Sequence, residues 1–406
     1  MASILMFAQR EVPYYRSLLK GSSIKPQNAL EILHKLPILT KEIIRREGND
    51  VYASFVNNEW KFWHNTGGST GEPLKFPLGG GNIADKIRGS VETIHQILLY
   101  RMMGYSIGDH ICSVDGRRVD NKYIVDNIYW DYNPVNIPYG IEHFSTIYMS
   151  DDTISYYLDK LNEIKPSFLR GYPSGIHSLC KYAQKLNYQF NFKLKGIYLT
   201  SENFDGNICN DIEDVFHCPI WGQYGHSEIS IFAYKKPKSE EYYCFPLYGY
   251  TEVLDDFNNP VSVGEEGNII VTGFLNKALP FIRYETGDRA IYGGTLSDGT
   301  VVLKKLMGRS SDFLIDHNHK KWNLVGLIFG GHLKVFNFIS QWQLEQKEVG
   351  RVLVTIVPDK GFTEFMETEI LDFFSNYDFT AEIKYVQSIP KTERGKQKFL
   401  IQHLKV

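Results

Sequence analysis

The sequence has no Cys-x-x-Cys pair, and its five cysteines (112, 180, 209, 218 and 244) are odd in number. That excludes a disulfide framework and gives the cytoplasm as the expected location. No run approaches the roughly 18 uncharged apolar residues of a membrane span. The start, MASILMFAQREVPYYRS, lacks a basic n-region, and Arg10 and Glu11 cut its apolar stretch short, so no secretory signal is expected. Neither end carries a lipidation signature. An excess of one charge is also missing: 44 Lys and Arg stand against 47 Asp and Glu. The chain therefore lacks the electrostatic footprint of a dedicated nucleic-acid binder. No fixed-period repeat or low-complexity segment occurs.

What is present is an ordinary globular composition, 406 residues with 43% hydrophobic. At roughly 100–200 residues per domain the length allows two to four domains. Aromatic residues make up 14%, which is high.

Residues 1–60 read as helical, with Pro37 as a break and Thr40 as an N-cap before KEIIRRE. A long amphipathic helix is expected over 83–103. Residues 111–116 read as a strand and turn, and 151–166 as a helix with an Asp start and a Pro stop. FLRGYPSGIHSLCKYAQKLN (168–187) reads as strand, turn and helix. A buried strand follows over 194–202, then a helix and a strand over 209–225. This alternation argues an α/β layered domain with a largely parallel sheet. After about 240 the turns Asn-Pro, Asp-Gly and Gly-Gly separate alternating strands, which reads as hairpins or a small barrel. Residues 351–359, 362–376 and 380–389 read as strand, helix and strand of a compact α+β tail. The expected fold class is α/β, with a large multi-layer domain over 1–309 whose β-rich part is barrel-like, and a small α+β domain over 310–406.

Five motifs carry chemistry. The first is Asn65-Thr66-Gly67-Gly68-Ser69-Thr70-Gly71-Glu72-Pro73. Its glycines let the backbone approach a polyanion, its successive N–H groups can form an anion nest, and its hydroxyls add donors. It is not a Walker A loop, because no Lys-Ser/Thr follows the last glycine; as a bare pattern it is also compatible with a plain turn. The second is Gly222-Gln223-Tyr224-Gly225-His226-Ser227-Glu228, ending an expected strand where ligands of α/β sheets gather. A carboxylate there suits Mg²⁺ beside substrate phosphates, although a solvated loop charge is the commoner fate of a glutamate. The third, Arg283-Tyr284-Glu285-Thr286-Gly287-Asp288, offers a carboxylate for ribose hydroxyls or simply a turn. The fourth is Gly308-Arg309. The fifth is Pro390-Lys391-Thr392-Glu393-Arg394-Gly395-Lys396 on a basic tail, which is usually solvated. Cys209, His217, Cys218, His226 and Cys244 lie near one another in sequence, but without short Cys pairs they read as buried thiols before they read as a zinc site.

Taken in order, these motifs resemble the adenylate-forming superfamily of acyl-CoA synthetases and adenylation domains. The absence of a lysine directly after Pro73 looks like the phenylacetate–coenzyme A ligase branch. The tail SIPKTERGKQKFLIQ is similar to members of that branch encoded for capsular or surface polysaccharide biosynthesis. The resemblance implies that Thr66, Gly67, Gly68, Ser69, Thr70 and Gly71 hold the ATP phosphates. It places Ser201 and Glu202 in the adenine-lining loop and stacks Tyr224, with Gly225 and His226 beside it, on adenine. Glu228 would hold Mg²⁺, Asp288 the ribose with Arg309 nearby, and Lys396 would be the catalytic lysine of a mobile small domain.

The implied reaction is ATP-dependent activation of a small carboxylic acid through an acyl-adenylate, then transfer to coenzyme A. Two places depart from the family pattern. Ser311 stands where the hinge acid is usual, with Asp312 next. His317-Asn318-His319-Lys320-Lys321-Trp322 replaces a Gly-rich turn. The acceptor therefore stays open between coenzyme A and an amine. A degenerate nucleotide binder is the third reading, but it has no need of Lys396. Tyr129, Trp130, Tyr132 and Tyr172 are candidates for an aryl pocket, or they are core aromatics. A homodimer is left open.

Overall fold

The computed structural model describes the chain except residues 58, 67–73, 80–88, 203, 205, 310–311, 325–326, 329–334, 336–337, 360, 393–395 and 405–406. It comprises two compact units: Met1–Gly104 with Gly222–Leu306, and Tyr105–Trp221 with Met307–Val406.

The first unit opens with helices Ala2–Glu11, Pro13–Leu18, Ala29–Lys35 and Lys41–Glu47. The Thr40 hydroxyl caps the last one, accepting from the Ile43 N–H at 3.3 Å. Leu5, Ala8, Val12 and Leu33 bury the apolar stripes of these helices in one core. Residues after about 240, expected as hairpins or a barrel, continue the antiparallel run of an open sheet that starts with Ile220–Gly225 and Phe232–Lys235. The strand order is Gly249–Leu254, Glu266–Gly273, Tyr284–Thr295, Val301–Arg309, Tyr242–Cys244, Phe232–Lys235 and Ile220–Gly225. Arg283 bolts the helices to this sheet. Its guanidinium donates to both Glu252 carboxylate oxygens at 3.2 and 3.0 Å and to the carbonyls of His34 and Leu36.

In the second unit four strands run parallel in the order Gly196–Thr200, Phe168–Gly171, Ile111–Asp115 and Glu142–Ser145. Trp130–Tyr132 adds an antiparallel edge. Gly196–Thr200 is buried throughout, as a parallel strand covered on both faces should be. Helix Ile154–Ile164 ends at Lys165, with a left-handed φ of 52°, just before Pro166. Helix Pro173–Lys185 starts with proline at its first position, where a missing N–H costs nothing. From Ile111–Asp115 the chain adds Glu142–Ser145 on one side and then Phe168–Gly171 on the other. That reversal is a topological switch point, and such points open a crevice beyond the strands' carboxyl ends. Gly171 is required there: a Cβ on it would sit 2.0 Å from the Val114 carbonyl oxygen.

The C-terminal residues of this unit have a core of their own, with Leu344, Val354, Ile356, Ile370 and Phe374 at its centre. Strands Thr380–Tyr385, Arg351–Pro358, Ile339–Glu348 and Leu400–Gln402 lie in that order, with helix Glu364–Asn376 packed through Ile370 and Phe374. Ile339–Glu348 was not anticipated from the sequence. Among the described residues no helix is long and apolar enough to cross a membrane.

Candidate functional site

The first unit gathers the strand-end motif and the Thr-Gly-Asp motif. The Tyr224 hydroxyl donates to Asp288 at 2.7 Å. Burial and the Asp288 charge both push the Tyr224 phenol well up, so it remains a donor. The Thr286 hydroxyl accepts from the Asp288 N–H at 3.0 Å and fixes the turn. Glu228 is only 5% exposed. Burial opposes its ionisation, but His226, its own backbone N–H and the Tyr284 hydroxyl at 3.0 Å together hold its carboxyl at about 2. It is thus a buried, ionised oxygen donor, the kind Mg²⁺ takes. The His226 ring nitrogen lies 3.2 Å from Glu228 without hydrogen-bond alignment, so that contact is electrostatic. Gly225 ends its strand opposite Phe232. Thr66 exchanges bonds with Leu74 through its N–H and its hydroxyl, both at 2.9 Å. Gly67, Gly68, Ser69, Thr70 and Gly71 lie outside the described residues.

The second unit carries a cavity of about 400 Å³ at the switch point. Its lining comes from the carboxyl ends of three parallel strands and the residues just past them: Ser113, Asp115 to Arg118, Arg170 to Tyr172, and Thr200 with Ser201. Lys396 is at its lip. The ammonium donates to the Ser201 carbonyl at 3.0 Å and lies 5.5 Å from the centre of the Tyr172 ring. Ser201 holds a left-handed φ of 72°, a strained state for a residue with a Cβ. Glu202 latches the segment. Its two oxygens accept from the Ser174 and Gln397 backbone N–H groups, each at 3.1 Å. Burial pushes Glu202 up, against the pull of those N–H groups and of Lys396. Lys391 donates to the Thr146 carbonyl at 2.8 Å, and burial pushes its ammonium down.

Arg309 ends strand Val301–Arg309, and its carbonyl accepts from the Asp312 N–H at 3.0 Å. Of the four aromatics named for a pocket, Tyr172 lines the cavity. Of the others, two are packing residues. Tyr129 is 7% exposed and stacks on Tyr157 at 5.6 Å, Trp130 packs on Phe144, and Tyr132 is exposed on the edge strand. Four of the five thiols are buried and Cys209 is half-buried. Burial pushes Cys218 and Cys244 up to about 12, which makes them inert. Among the described residues, the side chains that converge as metal-ligand types are His110, Cys112 and Glu142, none of them from the 209–244 cluster. Sequence reasoning missed Arg117, Arg118 and Arg170. Their signal was position: Arg117 and Arg118 just past one buried strand of an α/β sheet, and Arg170 within the carboxyl end of its neighbour.

A structure of 2-hydroxyisobutyryl-CoA ligase in the postadenylation state, in complex with R3-HIB-AMP, aligns with a TM-score of 0.73 over 99% of this chain and 87% of that one, at 17% identity. The chain has the adenylate-forming ligase fold. A benzoate CoA ligase from Burkholderia xenovorans LB400 shares this ligase fold at a TM-score of 0.50 and 16% identity, over 91% of this chain and 76% of that one. Protein CapK of Staphylococcus aureus is 25% identical over 411 aligned residues, covering 98% of this chain and 87% of CapK. Residues 320–403, the C-terminal part of the ligase fold, match the family described as the CapK C-terminal domain.

Proposed function

We propose that the chain activates a carboxylic acid with ATP and passes the acyl group to coenzyme A. A carboxylate oxygen attacks the α-phosphorus of ATP, the bond to the β-phosphate oxygen breaks, pyrophosphate leaves and acyl-AMP remains. The thiol then takes the acyl carbon and AMP departs. The observation that carries the reading is Lys396 at the lip of the switch-point cavity, held there by Ser201 and by the Glu202 latch on Gln397. Two anions repel, and a fixed ammonium lowers that repulsion where charge builds up. Asp288 and Tyr224 take the ribose and adenine. Glu228 would hold Mg²⁺, which supplies charge neutralisation on the phosphates. Residues 1–309 form the large domain and 310–406 the small one in this reading, with Arg309 and Asp312 at the boundary.

A second reading transfers the acyl group to an amine in capsular or surface polysaccharide assembly. The turn at 316–322 favours it. Asp316 accepts from the N–H groups of Asn318 and Lys320 and from the Trp322 indole, a side-chain-pinned turn in place of a glycine-rich one.

The test is acid-dependent exchange of labelled pyrophosphate into ATP over aryl, fatty, hydroxy and amino acids. Exchange with at least one acid is expected, reduced about a hundredfold or more in Lys396→Ala with the melting temperature kept. No exchange with any acid, together with no nucleotide binding, sinks the reading. Coenzyme A and amines added to preformed acyl-adenylate separate the acceptors by which one releases AMP.

A further inference from the structure

We infer that the switch-point cavity takes an acid with a second anionic group, a carboxylate or a phosphate, held by Arg117, Arg118 and Arg170. The inference rests on the adenylation reading and names the substrate class for it.

The charges decide it. Three guanidinium groups line the cavity and one carboxylate faces them, that of Asp115. Asp115 is already engaged: Arg117 reaches it through Nε at 3.2 Å and Nη2 at 3.0 Å. Burial opposes its ionisation, but His143 and Arg117 hold it at about 2, so it stays a fixed anion. Arg117 also points Nη1 at the His143 ring, 3.3 Å away. Arg170 is oriented by the rings of Tyr139 and Tyr198, each 5.3 Å from its carbon, and donates to the Tyr139 carbonyl. Arg118 makes no hydrogen bond or ion pair among the described residues.

Arg117 and Arg118 are exposed and Arg170 is half-buried, so an apolar acyl group lying against them would cover hydrated charge and return nothing. Pockets for apolar ligands are lined mostly by apolar and aromatic side chains. Here Tyr172 is the sole aromatic among the lining residues, and Ser113, Thr200 and Ser201 add hydroxyls. Arginine is the side chain suited to a carboxylate or a phosphate, through two parallel N–H bonds. With Lys396 against Ser201 and Tyr172 of the lining, a molecule bearing two anionic groups gives one to Lys396 and one to the arginines.

The test uses matched acids: glutarate against valerate, and 3-phosphoglycerate against glycerate. Pyrophosphate exchange is measured with the full-length protein, Arg118→Ala and Arg118→Glu, and the same acids are titrated calorimetrically in the presence of a non-hydrolysable ATP analogue. The second anionic group is expected to raise kcat/KM and affinity about tenfold or more, the scale of one charge-assisted hydrogen bond. Arg118→Ala removes most of that gain, and Arg118→Glu reverses it. Phosphate or carboxylate is distinguished by which pair shows the larger gain. Equal values within both pairs, in both measurements, overturn the inference. So does a rise in the KM for ATP that matches the loss for the acid, because the arginines would then serve nucleotide phosphate. Displacement of the acid by 3′,5′-ADP in an Arg118-dependent way also overturns it, assigning the arginines to the acceptor's phosphates. If no acid supports exchange while the Arg118-dependent preference appears in titration, the adenylation reading falls and the cavity assignment stands.

Discussion

Glu228 and Glu202 show how the surroundings give one side-chain type two tasks. Glu228 is held ionised by His226, its own N–H and Tyr284 despite burial, and is a fixed anion at neutral pH. Glu202 is pushed the other way by burial and spends its oxygens on two backbone N–H groups, one of them next to Lys396. In the proposed reaction its task is positioning. Glu202→Ala is expected to lower kcat for pyrophosphate exchange about tenfold to a hundredfold, because a misplaced charge stabilises the transition state poorly. The KM for ATP should move little. Equal changes in kcat and in the KM for ATP would show instead that Glu202 lines the adenine site. Glu228→Ala is expected to abolish exchange at ordinary Mg²⁺ and to recover part of it as Mg²⁺ is raised, and a magnesium titration reads this directly.

At the scale of elements, two close approaches hold the site's scaffold. Gly171 lets its strand press on Val114, so Gly171→Ala must force the strands apart where the cavity begins. A loss of about 3 kcal/mol in urea unfolding is expected, with exchange impaired in the fraction that folds. Arg283 and Glu252 are a buried pair, 8% and 6% exposed in their side chains. Arg283→Ala strands a carboxylate and should cost about 3–5 kcal/mol. Arg283→Met with Glu252→Leu should recover most of it, and a double change no better than the single one would show that the carbonyl bonds to His34 and Leu36 dominate. Arg283 was legible as part of a motif but not as a bolt, because its partners are remote in sequence. The helices and parallel strands were legible because apolar spacing and Gly or Pro punctuation are local signals. Strand Ile339–Glu348 was not, since Gln and Glu mask it. Its Gln346 is fully buried, yet its amide bonds the N–H and the carbonyl of Ile315 at 2.8 Å each, replacing a ladder partner. The order of the motifs pointed to the residues proposed for the nucleotide. The basic cavity stayed hidden because it exists only once three strands are neighbours. The high aromatic content told less than its size suggested, since Tyr129 and Trp130 are spent on packing.

At the scale of the whole molecule, each unit carries one site carboxylate held far below its ordinary value: Glu228 from 4.5 to about 2, and Asp115 from 3.8 to about 2. A depressed carboxyl binds its proton more weakly folded than unfolded. Its stabilisation is therefore complete above the unfolded value and is lost as pH falls toward the folded one. Stability should be nearly level from pH 8 to 5 and then fall between about 4.5 and about 2, by about 2–3 kcal/mol for each group. Glu202, pushed up, works in the opposite sense and gains from protonation, which softens the fall without reversing it. Urea midpoints measured across this range check the shape. Glu228→Gln removes one titrating group, so its curve should start lower at pH 7 and descend less steeply below 4.5. A Glu228→Gln curve parallel to that of the unaltered protein would mean that the fold does not hold Glu228 ionised, and its place as the Mg²⁺ donor would lose its physical basis.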